Sequence, residues 1–119
     1  MIGAGCSPDG IVVDADGRRG LIEVKCPSSK VHIGYLRAGV LPPAYQAQVT
    51  HALWVAGPED GQFVDFFSFD DRLPEGLQTF LVREWRDEEK MRVHGEAVAL
   101  FMAEVETEIA ALLALREQA

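Results

Sequence analysis

The sequence predicts an α/β fold in which a small mixed or antiparallel sheet is flanked by helices. Short runs of β-branched and aromatic residues lie near the start and in the middle of the chain, and turn residues bound each run. In the last third, apolar residues instead recur at the spacing of an α-helix. The order strand, strand, helix, helix, strand, strand, helix is typical of an α/β arrangement. Because the chain has 119 residues, one domain over residues 1–119 is expected.

The first two strands are expected to form a β-hairpin. Residues 11–13 are β-branched, and the Asp16-Gly17 step that follows them marks a turn. Residues 20–25 form the second strand, which ends at Cys26-Pro27 because proline has no amide hydrogen to donate to a sheet.

Two helices are expected after the hairpin. The serines at 28 and 29 can cap a short helix that ends at Gly39. A clearer helix follows over roughly residues 43–55, with proline in its first turn, where no amide donor is lost. The Gly-Pro pair at 57–58 is expected to close it.

The remaining chain reads as two strands and one long helix. Residues 63–69 and 79–85 are the strands, and Asp87 is expected to cap the helix. Trp54 and Trp85 lie at the ends of elements and are expected to anchor the core. The spacings of three, four and seven that predict the long helix involve Met91, Val98, Phe101, Val105, Ile109 and Leu112.

Composition and charge limit the classes of function. The net charge of −8 argues against a nucleic-acid partner, but residues 1–56 carry four acids and five bases. The excess acid lies in the back half, where it is expected to form solvated helix surface. No run approaches the roughly 18 apolar residues of a membrane span, and the N-terminus does not resemble a secretory signal. We therefore expect a cytoplasmic protein without a membrane partner.

The cysteines and histidines do not predict a metal centre. Cys6 and Cys26 form no CxxC pair, and we expect both to be buried free thiols. The three histidines lack the spacing of metal ligands, so each is expected to be structural or exposed; they are His32, His51 and His94.

Two carboxylates and a lysine form the strongest chemical pattern. Asp9 begins the first strand of the hairpin and Glu23 lies near the end of the second, so antiparallel pairing brings the two side by side. Lys25 is two residues beyond Glu23 and points to the same face. The alternative reading is an ordinary Asp-Gly turn and an exposed salt-bridging pair of little consequence.

This cluster has the chemistry of a magnesium site. Mg²⁺ prefers hard oxygen ligands, which Asp9 and Glu23 supply, and the carbonyl of Val24 offers a third oxygen. Such an ion lowers the pKa of a bound water and offsets the charge of a phosphate. Lys25 would orient the water or stabilise the transition state.

A second polar pattern follows on the helix after residue 43. Tyr45 and Gln48 are three residues apart and share a face that we expect to dock over the hairpin and reach the metal site. The alternative is that the glutamines of this helix face solvent. Lys30 and Arg37 are candidates for phosphate contact, with solvated surface charge as the alternative.

Together these motifs resemble the lambda exonuclease family of viral recombinases, which includes the YqaJ-like alkaline exonucleases. The resemblance extends along essentially the whole chain. The segments that show it are residues 7–10 (SPDG), 21–27 (LIEVKCP), 45–49 (YQAQV), 54–55 (WV) and 86–91 (RDEEKM).

The resemblance implies a restriction-endonuclease-like (PD-(D/E)xK) core and a magnesium-dependent 5′-to-3′ exonuclease acting on double-stranded DNA ends, with Mn²⁺ as a substitute cation. It implies a phage or prophage protein in a bacterial cytoplasm that forms a homo-oligomer and works with a single-strand annealing protein. By position, Asp9 and Glu23 match the metal-binding acids and Val24 the carbonyl ligand. Lys25 matches the catalytic lysine and Gln48 a catalytic glutamine. The expected substrate contacts are Ser7, Tyr45, Lys30 and Arg37.

The chain departs from the family because it begins at the SPDG motif, where the family has a preceding half of similar length. A fold truncated in this way is expected to expose a sheet edge, which favours pairing with a second copy. Two alternatives therefore stay open. One is a catalytically impaired remnant that acts as an oligomerising domain, and the other is a structure-specific endonuclease.

Overall fold

The order of elements matches the prediction. The computed structural model of the protein describes residues 8–118. Its elements are β1 (Gly10–Val13), β2 (Arg19–Lys25), α1 (Ser29–Ala38), a 3-10 turn (Pro43–Tyr45), α2 (Gln46–Asp60), β3 (Phe63–Phe69), β4 (Thr79–Trp85) and α3 (Glu88–Glu117).

The four strands form one mixed sheet in the order β1-β2-β3-β4. β1 and β2 are antiparallel, β2 and β3 are parallel, and β3 and β4 are antiparallel. A parallel pair requires a crossover connection, because the chain must return to the end of the sheet from which it started. α1 and α2 supply that crossover, so both helices lie between the hairpin and β3 in sequence.

The predicted helix caps of α1 and α3 are present. Ser28 accepts a hydrogen bond from the backbone N–H of Val31 at 3.5 Å, and Gly39 ends α1 in the left-handed conformation with φ of 68°. Asp87 accepts from the N–H groups of Glu89 and Lys90 at the start of α3. These caps satisfy amide groups that a helix end would otherwise leave without a partner.

α2 consists of two helical pieces on either side of Gly57. The first piece begins at Gln46 after a 3-10 turn and ends before Gly57, close to the predicted bound, and the second piece ends at Asp60. Gly57 kinks the helix with φ of 84°, and Pro58 then opens a further helical turn. Proline is tolerated there because the first turn of a helix does not use its N–H groups. The Gly-Pro pair therefore closes the longer piece, as predicted, and a short second piece follows it.

The core lies between one face of the sheet and the first two helices. Alternate residues of β2 and β3 point to this face, and α2 supplies the facing apolar side chains. The buried hydrophobic cluster consists of Leu21, Leu41, Val49, Ala52, Leu53, Val64, Phe66, Phe80 and Met91.

The opposite face of the sheet explains why one predicted core anchor is wrong. Trp54 packs against the core as expected, whereas Trp85 is 47% exposed. Trp85 pairs with Phe63 in the β3–β4 register and therefore points away from the helices. There it contacts the guanidinium groups of Arg18 and Arg83, at 4.8 and 5.2 Å from the ring centroid. The tryptophan thus covers a polar cluster on the sheet surface.

α3 extends beyond the rest of the fold. Met91, in its first turn, is its one buried residue among residues 88–117. The molecule measures 66 × 34 × 22 Å and its radius of gyration is 18.7 Å, against roughly 13–14 Å for a compact domain of this length. The acidic residues predicted to be solvated helix surface are exposed on α3, and they include Glu96, Glu104, Glu106, Glu108 and Glu117. None of the helices described is long and apolar enough to cross a membrane.

Candidate active site

Asp9 is fixed at the start of β1 by two hydrogen bonds to β2. Its backbone N–H donates to the carbonyl of Ile22 at 3.1 Å, and its Oδ2 accepts from the N–H of Val24 at 2.7 Å. Gly10 pairs with Ile22 in the antiparallel register, so Asp9 stands opposite Glu23. These contacts hold the Asp9 carboxylate over the end of β2.

Glu23 is a buried carboxylate on the helix-facing side of the sheet. The residue is 6% exposed and lies beside Phe66 of β3 in the parallel register. Burial raises the pKa of Glu23, and the negative charge of Asp9 raises this pKa further. The opposing influence comes from Lys25, whose Nζ lies 3.7 Å from Glu23 Oε2. The two carboxylates therefore lie close enough to repel each other.

Lys25 contacts both Glu23 and an aromatic ring. Its Nζ lies 5.0 Å from the centroid of the Tyr45 ring, which is within cation–π range. The Tyr45 ring in turn packs against Phe66, with centroids 5.1 Å apart. The expectation that this face docks over the hairpin is met for Tyr45. Residue spacing did not predict the ring–ammonium contact itself, because that contact depends on how the crossover helices return over β2. The aromatic-rich run of β3, which predicted a buried strand, was the available signal.

The geometric prediction for the three central residues is thus met. The hairpin brings Asp9 and Glu23 to one place, and Lys25 points to the same side of β2 as Glu23. The alternative of an exposed salt bridge is wrong for Glu23, which is buried. Their chemical roles remain predictions at this point.

Within residues 8–118, no side chain of the other predicted site residues forms a hydrogen bond or ion pair with Asp9 or Glu23. Val24 points its side chain to the opposite face of the sheet, while its backbone lies at the site. Gln48 is exposed in the first turn of α2, and among residues 8–118 no hydrogen bond joins it to the carboxylates. Lys30 and Arg37 are exposed on α1. Ser7 lies outside the described residues.

The predictions for the cysteines and histidines have mixed outcomes. Cys26 is an exposed free thiol and not a buried one, because it follows the last residue of β2 at the rim of the sheet; Cys6 lies outside the described residues. His32 is structural: it is buried and lies 2.7 Å from the hydroxyl of Ser68 and 2.9 Å from the carbonyl of Leu77. His51 and His94 are half-buried and contact each other at 2.8 Å between α2 and α3.

The oxygen atoms at the site fit a hard divalent cation. Within residues 8–118 no three side chains of the His, Cys, Asp or Glu type cluster closely enough to hold a metal ion. The available ligands are therefore two carboxylates and backbone oxygen. Mg²⁺ matches such a sparse set, because it is usually bound by one or two carboxylates, substrate phosphate and waters. Mutual repulsion between Asp9 and Glu23 is the electrostatic condition that a cation relieves.

Comparison with solved structures identifies the fold. The chain superimposes on the alkaline exonuclease LHK-Exo of Laribacter hongkongensis with a TM-score of 0.82 and 39% identity. A second crystal structure of LHK-Exo, in complex with dAMP, matches with a TM-score of 0.81 and 39% identity. Both alignments cover 94% of this chain and 54% of the exonuclease, so the chain spans about half the length of that protein.

The fold is therefore the PD-(D/E)xK-like fold of the alkaline exonucleases, as predicted. The resemblance to the viral recombinases is confirmed as well, because residues 3–59 match the YqaJ-like viral recombinase domain. That segment contains β1, β2, α1 and most of α2, and with them the whole candidate site. None of the curated proteins compared with the chain matches it.

Proposed function

We propose that the protein is a magnesium-dependent deoxyribonuclease that hydrolyses phosphodiester bonds of DNA. The observation that supports this most directly is the convergence of Asp9, Glu23 and Lys25 at the end of one β-hairpin. The similarity to an exonuclease and to a viral recombinase domain points to the same class of substrate.

We assign each residue a role from its chemistry and from the family resemblance. Asp9 and Glu23 would hold Mg²⁺ with the carbonyl of Val24, and Mn²⁺ would substitute because it accepts the same ligands. The bound cation supplies a water of lowered pKa and neutralises phosphate charge. Lys25, 3.7 Å from Glu23, orients the attacking water and stabilises the negative charge that develops on the phosphate. Gln48, in the first turn of α2, would contact the phosphate or water.

More specifically, we propose that the deoxyribonuclease is a 5′-to-3′ exonuclease of phage recombination. Its substrate would be double-stranded DNA ends, which Ser7, Lys30 and Arg37 would help to bind. Its partner would be a single-strand annealing protein, and its working form a homo-oligomer in the bacterial cytoplasm. The family resemblance supports this proposal, as does the charge balance of residues 1–56, which hold the site and carry five bases against four acids while the excess acid lies in the rest of the chain.

One observation favours a second candidate. Because the alignment covers 54% of LHK-Exo, nearly half of that exonuclease has no counterpart among the aligned residues. The domain on its own would then be catalytically impaired and serve to oligomerise. A structure-specific endonuclease is a third possibility, because one metal-binding core serves both exonucleolytic and endonucleolytic cleavage.

A cleavage assay on linear and circular duplex DNA separates these candidates. We expect purified protein to degrade linear DNA with Mg²⁺ or Mn²⁺, to spare circles, and to stop in the presence of a chelator. Lys25→Ala should lower the rate by about 10²-fold or more, as the loss of a charge-stabilising group typically does.

Lys90→Ala is the matched control, because this exposed lysine of α3 makes only a 3.8 Å surface ion pair with Glu84. It should leave the rate unchanged. Cutting of circles would point to an endonuclease. Equal residual cleavage by the parent and Lys25→Ala would rule out the catalytic proposal in favour of the oligomerising domain.

A further inference from the structure

Tyr45 contacts the proposed catalytic lysine through its ring. The Lys25 Nζ lies 5.0 Å from the ring centroid, and the ring is held against the fully buried Phe66 at 5.1 Å with an interplanar angle of 37°. The same lysine lies 3.7 Å from Glu23, and its side chain is 30% exposed. The ammonium group is therefore restrained on one side by a carboxylate and on another by an aromatic ring that the core holds in place.

The hydroxyl of Tyr45 has a different neighbour. Burial and then the adjacent Tyr45 phenol raise the pKa of Tyr35, so the two hydroxyl groups interact. Tyr35 packs against Phe66 and Phe80, with centroid distances of 5.8 and 6.0 Å. Phe80 belongs to β4, whereas Lys25 belongs to β2, and β3 separates the two strands. The Tyr45 hydroxyl is thus engaged with the Tyr35 hydroxyl of α1, whose ring lies against β3 and β4.

The geometry points to Tyr45 as a positioning residue whose ring, and not its hydroxyl, serves the site by holding the Lys25 ammonium beside Glu23. This inference rests on the proposed nuclease function and replaces the expectation that Tyr45 contacts substrate. A ring suits this task physically. It attracts an ammonium through its quadrupole, and it offers no oxygen that competes with the carboxylates for a cation.

Substitutions that separate ring from hydroxyl test the inference. Tyr45→Phe keeps the aromatic face and should cleave DNA at close to the parent rate. Tyr45→Met keeps apolar packing on Phe66, because a thioether fills such gaps well, but it presents no aromatic face. Its kcat should fall by about tenfold with little change in KM, in line with the loss of a desolvated cation–π contact. Thermal unfolding checks that both variants are folded, and Tyr45→Leu repeats the measurement should the methionine variant be unstable.

A structural readout makes the test independent of cleavage. A proton above an aromatic ring resonates upfield, so the ε-methylene protons of Lys25 should be shifted upfield in the parent and in Tyr45→Phe. In Tyr45→Met they should return to the values of an exposed lysine. The signals of the Lys25 ε-methylene protons are assigned as those that are lost from the spectrum of Lys25→Arg.

Each outcome decides the inference. It is supported if Tyr45→Phe retains cleavage while the ring-free variants lose it together with the upfield shift. Equal losses in Tyr45→Phe and Tyr45→Met would assign the role to the hydroxyl and overturn it, and so would full activity of Tyr45→Met. If the parent does not cleave DNA at all, the proposed nuclease function is wrong, and the cleavage rates no longer test the role of Tyr45. The Lys25 shift then decides whether the ring holds the ammonium.

Discussion

Glu23 is a buried carboxylate beside a second carboxylate, an arrangement that opposes folding while it favours cation binding. Burial raises the pKa of Glu23 first and the charge of Asp9 raises it further, although Lys25 acts in the opposite direction. The stability associated with the neutral form is complete below the ordinary pKa of 4.5 and is lost as the pH rises through the raised pKa. Replacing the carboxylate with an amide should remove this loss.

We therefore expect Glu23→Gln to raise the Tm of the cation-free protein at about pH 8, where the parent carboxylate is charged. The rise should be a few degrees, because about 1 kcal/mol shifts the Tm of a domain of this size by roughly 4 °C. The difference should shrink as the pH falls towards 4.5. Added Mg²⁺ should raise the Tm of the parent, which binds it in the folded state only, and leave that of the variant unchanged.

Circular dichroism with and without a chelator measures these differences in Tm. Glu75→Gln, at an exposed loop position, is the matched control and should show neither effect. A Glu23→Gln protein less stable than the parent at pH 8 without Mg²⁺ would show that Lys25 outweighs the burial of the carboxylate.

The secondary structure elements divide into those that local chemistry determines and those that it does not. The hairpin and the caps Ser28, Gly39 and Asp87 could be predicted, because each depends on residues within a few positions of one another. The break of α2 at Gly57 and Pro58 could be predicted as well. The short helical piece after it could not, since the residues that end one helix do not show that another begins. The exposure of Trp85 depends on the absence of a covering helix on one sheet face within residues 8–118, and sequence periodicity does not report which face is covered.

The close approach of Gly20 in β2 to Phe63 in β3 gives a prediction about the packing of the sheet. A Cβ atom on Gly20 would lie 2.4 to 2.6 Å from the ring of Phe63, which is fully buried and holds the Arg83 guanidinium 3.6 Å from its centroid. Gly20→Ala should therefore displace the ring and lower the free energy of unfolding by about 1–3 kcal/mol. Urea denaturation measures the change.

A glycine-to-alanine substitution at Gly34 in α1 should instead stabilise the protein. Gly34 is exposed inside the helix, and a Cβ there meets nothing within 4 Å. Gly34→Ala should raise the free energy of unfolding by about 0.5–1 kcal/mol, because alanine loses less conformational freedom than glycine in a helix. If Gly20→Ala were as stable as the parent, the Phe63 ring would not be held against β2.

At the scale of the whole molecule, the sequence predicts the parts of the candidate site that a single hairpin forms. The convergence of Asp9 and Glu23 follows from a hairpin, where antiparallel register can be read from the positions of the strands. The contact between Lys25 and Tyr45 follows from the return of the chain through a parallel crossover. Such a contact joins residues 20 positions apart in sequence, and single-sequence spacing does not fix the path between them.

Among residues 8–118, apolar side chains are exposed at the edge strand β1 and on the last turns of α3. Ile11 and Val13 on that four-residue strand are each 64% exposed. The last turns of α3 expose an apolar surface of greater extent, formed by Ile109, Leu112, Leu113 and Leu115. Monomeric proteins rarely expose contiguous apolar area of this kind. The predicted homo-oligomer is therefore expected to depend more on α3 than on the strand edge.

This dependence can be measured by sedimentation velocity at about micromolar concentration, the range in which specific interfaces are occupied. We expect the parent to sediment as an oligomer and Leu112→Lys to sediment as a monomer, because a charge in the apolar surface of α3 is costly to bury. Val13→Lys, which tests pairing through the edge of β1, should have the smaller effect. Added salt should strengthen association, since the neighbouring glutamates 104, 106 and 108 repel their counterparts in a second copy. A parent that sediments as a single monomeric species would contradict the predicted oligomer, and a monomeric Val13→Lys with an oligomeric Leu112→Lys would move the interface to the sheet edge.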